Sequence, residues 1–191
     1  MSSKLYAKLG TMAAGKSLEL LKTADTYERS GRRVLIFTPN IDNRYGKDRV
    51  VSRTGLGHEA TSVHIDDAEQ IYRSAVFERP DVILIDECQF FTKRVIETLA
   101  VAIVDGLNIP VICYGLKTNF KGELFEGSAE LFALADDISE IKGLCQCCDR
   151  KATMNLRFVD GNPAKEGDEV LIGDEEYRSV CRKHFYNWEE F

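Results

Sequence analysis

Three groups of residues in this chain have types and spacings that could do chemistry. The first is Gly10-Thr11-Met12-Ala13-Ala14-Gly15-Lys16-Ser17, which fits G-x-x-x-x-G-K-[ST] at every fixed position. Glycines free a loop's N–H groups to surround phosphate oxygens, and a helix N-terminus behind the loop adds partial positive charge. In such a loop Lys16 reaches the β- and γ-phosphates, and the Ser17 hydroxyl ligates Mg²⁺.

The second group is Asp86-Glu87, which follows the apolar run Val82-Ile83-Leu84-Ile85. An acid at the end of a strand opposite a phosphate loop is where the Mg²⁺ shell is held, so Asp86 is the expected metal partner. Glu87 is then placed to accept the proton of an attacking hydroxyl, although an ATPase would put a water-activating acid at the same position.

The third group is Cys145-x-x-Cys148 with Cys181-x-x-His184. Two ligand pairs of this spacing make a closed tetrahedral Zn²⁺ site, structural rather than catalytic because no position is left for water. Cys147 offers a C-x-C alternative; knuckle spacing selects Cys148. Four cysteines crowded near one end of a chain with a cytosolic composition point to metal before disulfides. Cys88 and Cys113 lie in apolar runs and are expected to be buried thiols, and His58 and His64 to be surface loop residues.

These groups must be held by elements that the hydrophobic pattern predicts. Leu5, Ala7 and Leu9 alternate with more polar residues and form a strand leading into the phosphate loop. A helix follows from Leu18 to about Ser30, stopped by Gly31, and Arg33–Phe37 is a second strand closed by Pro39. Residues 40 to 62 read as irregular. Asp66-Asp67 starts a helix that Pro80 ends, and Val82–Ile85 is a strand buried on both faces. Helical spacing over 92 to 105 precedes a buried strand from Ile109 to Tyr114, a loop from Gly115 to Gly127, a short helix over Ala129 to Ala135 and a last strand over Ile138 to Ile141.

Strands alternating with helices predict an α/β fold: a P-loop, RecA-like, doubly wound and mostly parallel sheet over residues 1–142. From residue 143 to 191 the texture changes to cysteines and turns, a small zinc-ribbon-like domain. Its segment between the ligand pairs, with Asp160-Gly161-Asn162-Pro163, Gly167 and Gly173, is either a lid over a substrate or an exposed hairpin.

With 25 basic and 31 acidic residues and a net charge of −6, the chain lacks the basic excess of a nucleic-acid binder. Its apolar runs are too short to span a bilayer, and no secretory signal is visible, so the cytoplasm is the expected location. A nucleic-acid-binding ATPase with a gripping zinc ribbon is disfavoured by the acidic balance. A switch GTPase is disfavoured because no N-K-x-D segment follows a strand.

Taken together, the motifs resemble the type II thymidine kinases of bacteria and animal cytosol over nearly all 191 residues. The resemblance is carried by Gly10-x-Met12-x-x-Gly15-Lys16-Ser17, by Asp86-Glu87-x-Gln89-Phe90-Phe91, by Gly115-Leu116-x-Thr118-x-Phe120-x-Gly122-x-x-Phe125, and by Tyr177-x-x-x-Cys181-Arg182-x-His184. It implies transfer of the γ-phosphate of ATP to the 5′-hydroxyl of thymidine, and of deoxyuridine, with Glu87 as general base. ATP would be held by residues 10 to 17 with Asp86 and Gln89.

Met12, Phe90, Leu116, Phe120, Phe125, Asn155, Leu171, Gly173 and Tyr177 would surround the nucleoside, with the base held by a lasso over about Val159 to Tyr177. Asp42-x-Arg44 resembles a pair near the phosphates, in the basic stretch Arg44, Lys47, Arg49 and Arg53, which the residues alone read equally as a mobile solvated loop. A homotetramer, with feedback inhibition by dTTP, is also implied. Three positions depart from the family pattern: Ile172 stands in place of one of two lasso glycines, Asn155 stands where many relatives have threonine near the base's 5-methyl group, and Lys121 replaces an arginine.

Overall fold

The computed structural model describes residues 2–41, 48–159, 161–164, 166–167 and 177–188. The chain starts with strand β1 (Leu5–Gly10), helix α1 (Lys16–Arg29) and strand β2 (Val34–Pro39). Three short strands follow, β3 (Arg49–Val51), β4 (Gly57–Glu59) and β5 (Thr61–Val63), then helix α2 (Ala68–Glu78) and strand β6 (Val82–Ile85). Helix α3 (Lys93–Glu97) runs on as a π-helical stretch over Thr98–Gly106 into β7 (Val111–Leu116), α4 (Glu126–Leu134) and β8 (Asp137–Ile141).

The six-stranded sheet has the order β5-β2-β6-β7-β1-β8, and all its pairings are parallel. Parallel neighbours need crossovers, and the helices that make them cover both faces. Leu20, Leu21 and Ala24 of α1 pack on one face with Ile36, Leu84, Ile112 and Tyr114. On the other face α2, the α3 segment and Leu131 of α4 cover Leu9, Phe37, Ile83, Ile85 and Cys113. Every residue of β6 is buried, as its unbroken apolar run requires of a central strand.

The expectation that residues 40 to 62 are irregular is corrected. β3 and β4 pair antiparallel, β5 is the edge strand beside β2, and residues 42–47 lie outside the described ones. Val50 of the β3–β4 hairpin is buried in the core on the α1 face. His58 is on β4 rather than in a loop, with its ring nitrogens 3.0 Å from the Glu28 carboxylate and 2.7 Å from the Glu59 carbonyl. Elsewhere the differences are small. The expected loop at 115 to 127 is shortened because β7 extends to Leu116 and α4 begins at Glu126. Asp67 caps α2 by accepting the Gln70 N–H at 3.0 Å.

The remainder is built from β9 (Gly143–Leu144), β10 (Lys151–Ala152), β11 (Met154–Val159), β12 (Asn162–Ala164), β13 (Tyr177–Val180) and α5 (Arg182–Tyr186). β9 and β10 form one antiparallel pair, and β12-β11-β13 a second small sheet. Its core is Met154, Leu156, Phe158, Val180 and Phe185 around the cysteines. Among the described residues no helix is long and apolar enough to cross a membrane.

Candidate active site and metal centre

The register places Gly10 beside Leu116 and Ile85 beside Cys113, so β1, β7 and β6 end at one edge of the sheet. In an open parallel sheet that edge is where ligands bind. The phosphate loop emerges there, and Gly15, with φ of 90°, supplies the left-handed turn that starts α1. The Lys16 ammonium is buried and donates to the Thr11 carbonyl at 3.0 Å. Ala14 N–H donates to the same carbonyl at 3.3 Å.

Ser17 Oγ donates to Asp86 Oδ2 at 3.4 Å, which joins the first two sequence motifs across the intervening strand β7. Asp86 Oδ1 is buried and has no hydrogen-bond partner among the described residues. Burial, and then the charge of Glu87, push the Asp86 carboxyl up to about 7, against the pull of Lys16. A buried carboxylate oxygen without a donor, beside a serine hydroxyl, is the hard-oxygen pair that a Mg²⁺ shell uses, so these residues fit that ion.

Glu87 follows in a left-handed conformation, φ 45° and ψ 42°, which turns the chain from β6 into a 3-10 turn over Cys88–Phe90. For a non-glycine residue this conformation carries strain and is held by its surroundings. Gln89 supplies part of the hold. Its Nε2 donates to Glu87 Oε2 at 2.7 Å, while its Oε1 accepts the Leu116 N–H at 2.9 Å. A Cβ on Gly115 would lie 2.5 Å from both Gln89 Oε1 and Cys88 Sγ, so only glycine lets the turn lie against β7. Cys88 and Cys113 are buried free thiols, as expected.

Around this edge, Phe90 and Phe125 meet edge-to-face with ring centroids 5.7 Å apart. Phe120 is fully buried, with the Arg157 guanidinium 5.1 Å above its ring and Lys121 Nζ at 5.6 Å. Met12, Leu116 and Tyr177 are half-buried. Asn155 is buried, and its carboxamide accepts the Met12 N–H at 2.8 Å and donates to the Thr118 carbonyl at 3.4 Å. Leu171, Ile172 and Gly173 lie outside the described residues, as do Asp42, Arg44 and Lys47. Arg49 and Arg53 are exposed. Ser179, whose hydroxyl donates to the Met12 carbonyl, has no signature in the sequence.

The third motif closes on itself. Cys145, Cys148, Cys181 and His184 offer ligand atoms all within 4.8 Å of one another, and Cys147 is outside the set. The Nδ1 of His184 is 3.4, 3.6 and 3.3 Å from the sulfurs of Cys145, Cys148 and Cys181, and the last two sulfurs are 3.9 Å apart. A tetrahedron with Zn–S near 2.3 Å and Zn–N near 2.0 Å requires edges of about 3.5–3.8 Å, so the four residues fit Zn²⁺. Burial would raise the Cys145 thiol, but backbone N–H groups of Cys181 and Cys147 and the His184 ring outweigh it and lower it to about 6.

A family model described as "Thymidine kinase" matches residues 3–185. A protein named "Thymidine kinase" from Streptococcus pyogenes serotype M3 is 46% identical over 186 residues, covering 97% of this chain and 98% of its own length. One of the same name from Lactococcus lactis is 45% identical over 185 residues, 96% and 97% of the two chains, and one from Streptococcus agalactiae serotype Ia is 46% identical over 186.

Proposed function

We propose, from the premise that this chain belongs to the thymidine kinase family, that it moves the γ-phosphate of ATP to the 5′-hydroxyl of thymidine, and of deoxyuridine, with Glu87 as general base. The observation that carries this is the 3.4 Å contact of Ser17 with Asp86, one residue from Glu87, at the end of β6. It puts residues 10 to 17 and the Glu87 carboxylate at one sheet edge, and an in-line transfer needs a phosphate cradle and a base there.

In this proposal the phosphates lie along residues 10 to 17, and the Lys16 ammonium exchanges the Thr11 carbonyl for phosphate oxygens. Ser17 and Asp86 would hold Mg²⁺, which would supply neutralisation of the charge that grows on the phosphates. Glu87, oriented by Gln89, takes the proton from the 5′-hydroxyl. Met12, Phe90, Leu116, Phe120, Phe125 and Tyr177, with Leu171 and Gly173, are proposed as the nucleoside wall, which would exclude the water that otherwise competes as acceptor.

Residues 1–142 are proposed as the nucleotide-binding domain and 143–191 as the zinc-binding domain. The protein is proposed to act in the cytoplasm as a homotetramer with dTTP feedback. Light scattering on the purified protein checks the tetramer, and inhibition by dTTP the feedback. The test of function is coupled ADP release with ATP and Mg²⁺, adding in turn no acceptor, thymidine, deoxyuridine, other deoxynucleosides or single-stranded DNA. Turnover restricted to thymidine and deoxyuridine is expected. Turnover without a nucleoside, raised by DNA, would replace the proposal with the ATPase.

A further inference from the structure

Met12 sits at the front of the phosphate loop, and both polar groups of its backbone are taken by side chains from the zinc-binding part of the chain. Its N–H is accepted by Asn155 Oδ1 at 2.8 Å, from the buried strand β11. Its carbonyl accepts from Ser179 Oγ, on the neighbouring strand β13. β11 and β13 are paired, with Asn155 opposite Ser179, so the two side chains rise from adjacent positions of one small sheet. Asn155 is anchored at its other end by the Thr118 carbonyl.

We propose that Asn155 and Ser179 are positioning residues for the phosphate loop, acting on ATP through Met12 rather than on the nucleoside base. The inference rests on residues 10 to 17 being the donor's phosphate cradle. Three features support it. First, hydrogen bonds at both ends of the Asn155 carboxamide fix its orientation toward the loop. Second, a cavity of about 270 Å³ is lined by Gly10, Thr11, Thr118, Thr153 and Asn155 among others, so the loop is not packed tightly on that side and the hydrogen bonds must hold it. Third, Met12 N–H is committed to Asn155, so phosphate binding falls to the amides that follow it, and their placement depends on where Met12 is held.

The clamp also bears on what a phosphate loop needs. Loop amides stabilise phosphate only if they are already in place when it arrives, since ordering them on binding subtracts from affinity. Ala13 has a φ of 58° and Gly15 of 90°, so two of the residues that follow Met12 are in left-handed conformations. Fixing the two peptide groups that flank the Met12 Cα restricts the alternatives to that backbone path.

The test uses the full-length, zinc-loaded protein with Asn155→Leu, Ser179→Ala and Ser179→Thr. It reads the KM for ATP and for thymidine, ADP affinity by titration calorimetry, zinc content, and hydrogen exchange of the peptide that contains Met12. Loss of one net hydrogen bond corresponds to about a 2- to 12-fold change in an equilibrium. Asn155→Leu and Ser179→Ala are each expected to weaken ADP and raise the ATP KM by that factor, to speed exchange at Met12, to leave zinc content unchanged, and to move the thymidine KM by less than the ATP KM. Ser179→Thr, which keeps the hydroxyl, is expected to restore wild-type values.

If Asn155→Leu raises the thymidine KM and spares ADP binding, Asn155 belongs to the base wall and the clamp is refuted. Should Asn155→Leu fold poorly, the smaller Ser179→Ala decides alone: unchanged ADP affinity and Met12 exchange overturn the proposal. Failure of the donor assignment itself would show in the wild type, as no ADP binding.

Discussion

Replacing Gly115 by alanine should damage both stability and turnover, by amounts that the packing sets. The added Cβ would stand 2.5 Å from Cys88 Sγ and from Gln89 Oε1, and 3.2 Å from the Gln89 backbone nitrogen. Both side chains are buried, so neither can swing into solvent. Overpacking of this kind costs about 1–3 kcal/mol. Moving Gln89 Oε1 also strips Leu116 N–H of its 2.9 Å acceptor, and a buried donor left unsatisfied costs roughly 1–3 kcal/mol more. For a chain of this size the sum lowers Tm by roughly 5–15 °C. The same shift withdraws Gln89 Nε2 from Glu87, and misplacing a proposed base by about 1 Å can cost ~100-fold in kcat. Differential scanning calorimetry and the ADP-release assay, run well below both melting temperatures, read the two effects. Gln89→Met, which removes the carboxamide without the added Cβ, should reproduce the kcat loss with a smaller drop in Tm. A Gly115→Ala protein with wild-type Tm and kcat would refute the tether between β7 and Glu87.

Other perturbations separate the parts of the site. Glu87→Gln should lower kcat by roughly 10²–10⁴-fold while sparing ADP affinity; wild-type kcat would remove Glu87 from the role. Because burial holds the Asp86 carboxyl up near 7, the folded protein binds this proton more tightly than the unfolded chain. Its contribution to stability is therefore fully present at low pH and lost as pH rises from about 4 to about 7. Asp86→Asn, measured by thermal melts without nucleotide, should flatten that pH dependence, stabilise the protein above pH ~7 and abolish turnover; an unchanged pH profile would deny the shift. Cys181→Ser, or a strong chelator, should remove zinc and melt residues 143–188 ahead of the six-stranded sheet; full zinc content in the serine variant, by elemental analysis, would show that Cys181 is not a ligand.

The elements that could be read from the sequence are those whose burial leaves a regular pattern. β6 is buried on both faces and shows as an unbroken apolar run, and β1 alternates because its two faces meet different helices. β3, β4 and β5 are three residues each, too short for a period to register, and lie in a stretch of Asp, Arg and Gly that reads as turn. The π-helical stretch at Thr98–Gly106 was likewise invisible, since its apolar residues satisfy an α-helical spacing nearly as well. At the site, residue types with strong chemical preferences were legible: a lysine after glycine, acids at a strand end, cysteines in pairs. The cysteine–histidine cluster follows knuckle spacing, with Cys148 rather than Cys147 inside it. The partners that orient these groups were not legible. Gln89 reaches Glu87 only because a 3-10 turn folds back, and Ser179 meets Met12 across 167 residues of chain.

On the proposal above, that long-range contact would give the segment that carries the cysteine–histidine cluster a role beyond stabilising itself. The sheet β12-β11-β13 has a core of five residues beside its cysteines, so burial alone supplies it with little stability. The ligand set lies at its end: Cys181 follows β13 directly, two residues from Ser179. Cys145 is tied to Arg150, and Gln146 N–H donates to the Ser179 carbonyl at 3.0 Å, so the knuckle also grips the backbone of the residue that grips Met12. Fixing four ligand atoms thus fixes β13, β13 fixes β11 by pairing, and the pair sets the peptide from which the phosphate loop continues. Sequence order places the metal ligands last and the phosphate loop first, but the path between them in space is two residues and one hydrogen bond. A metal held by this cluster would in this way bear on nucleotide affinity without touching the nucleotide.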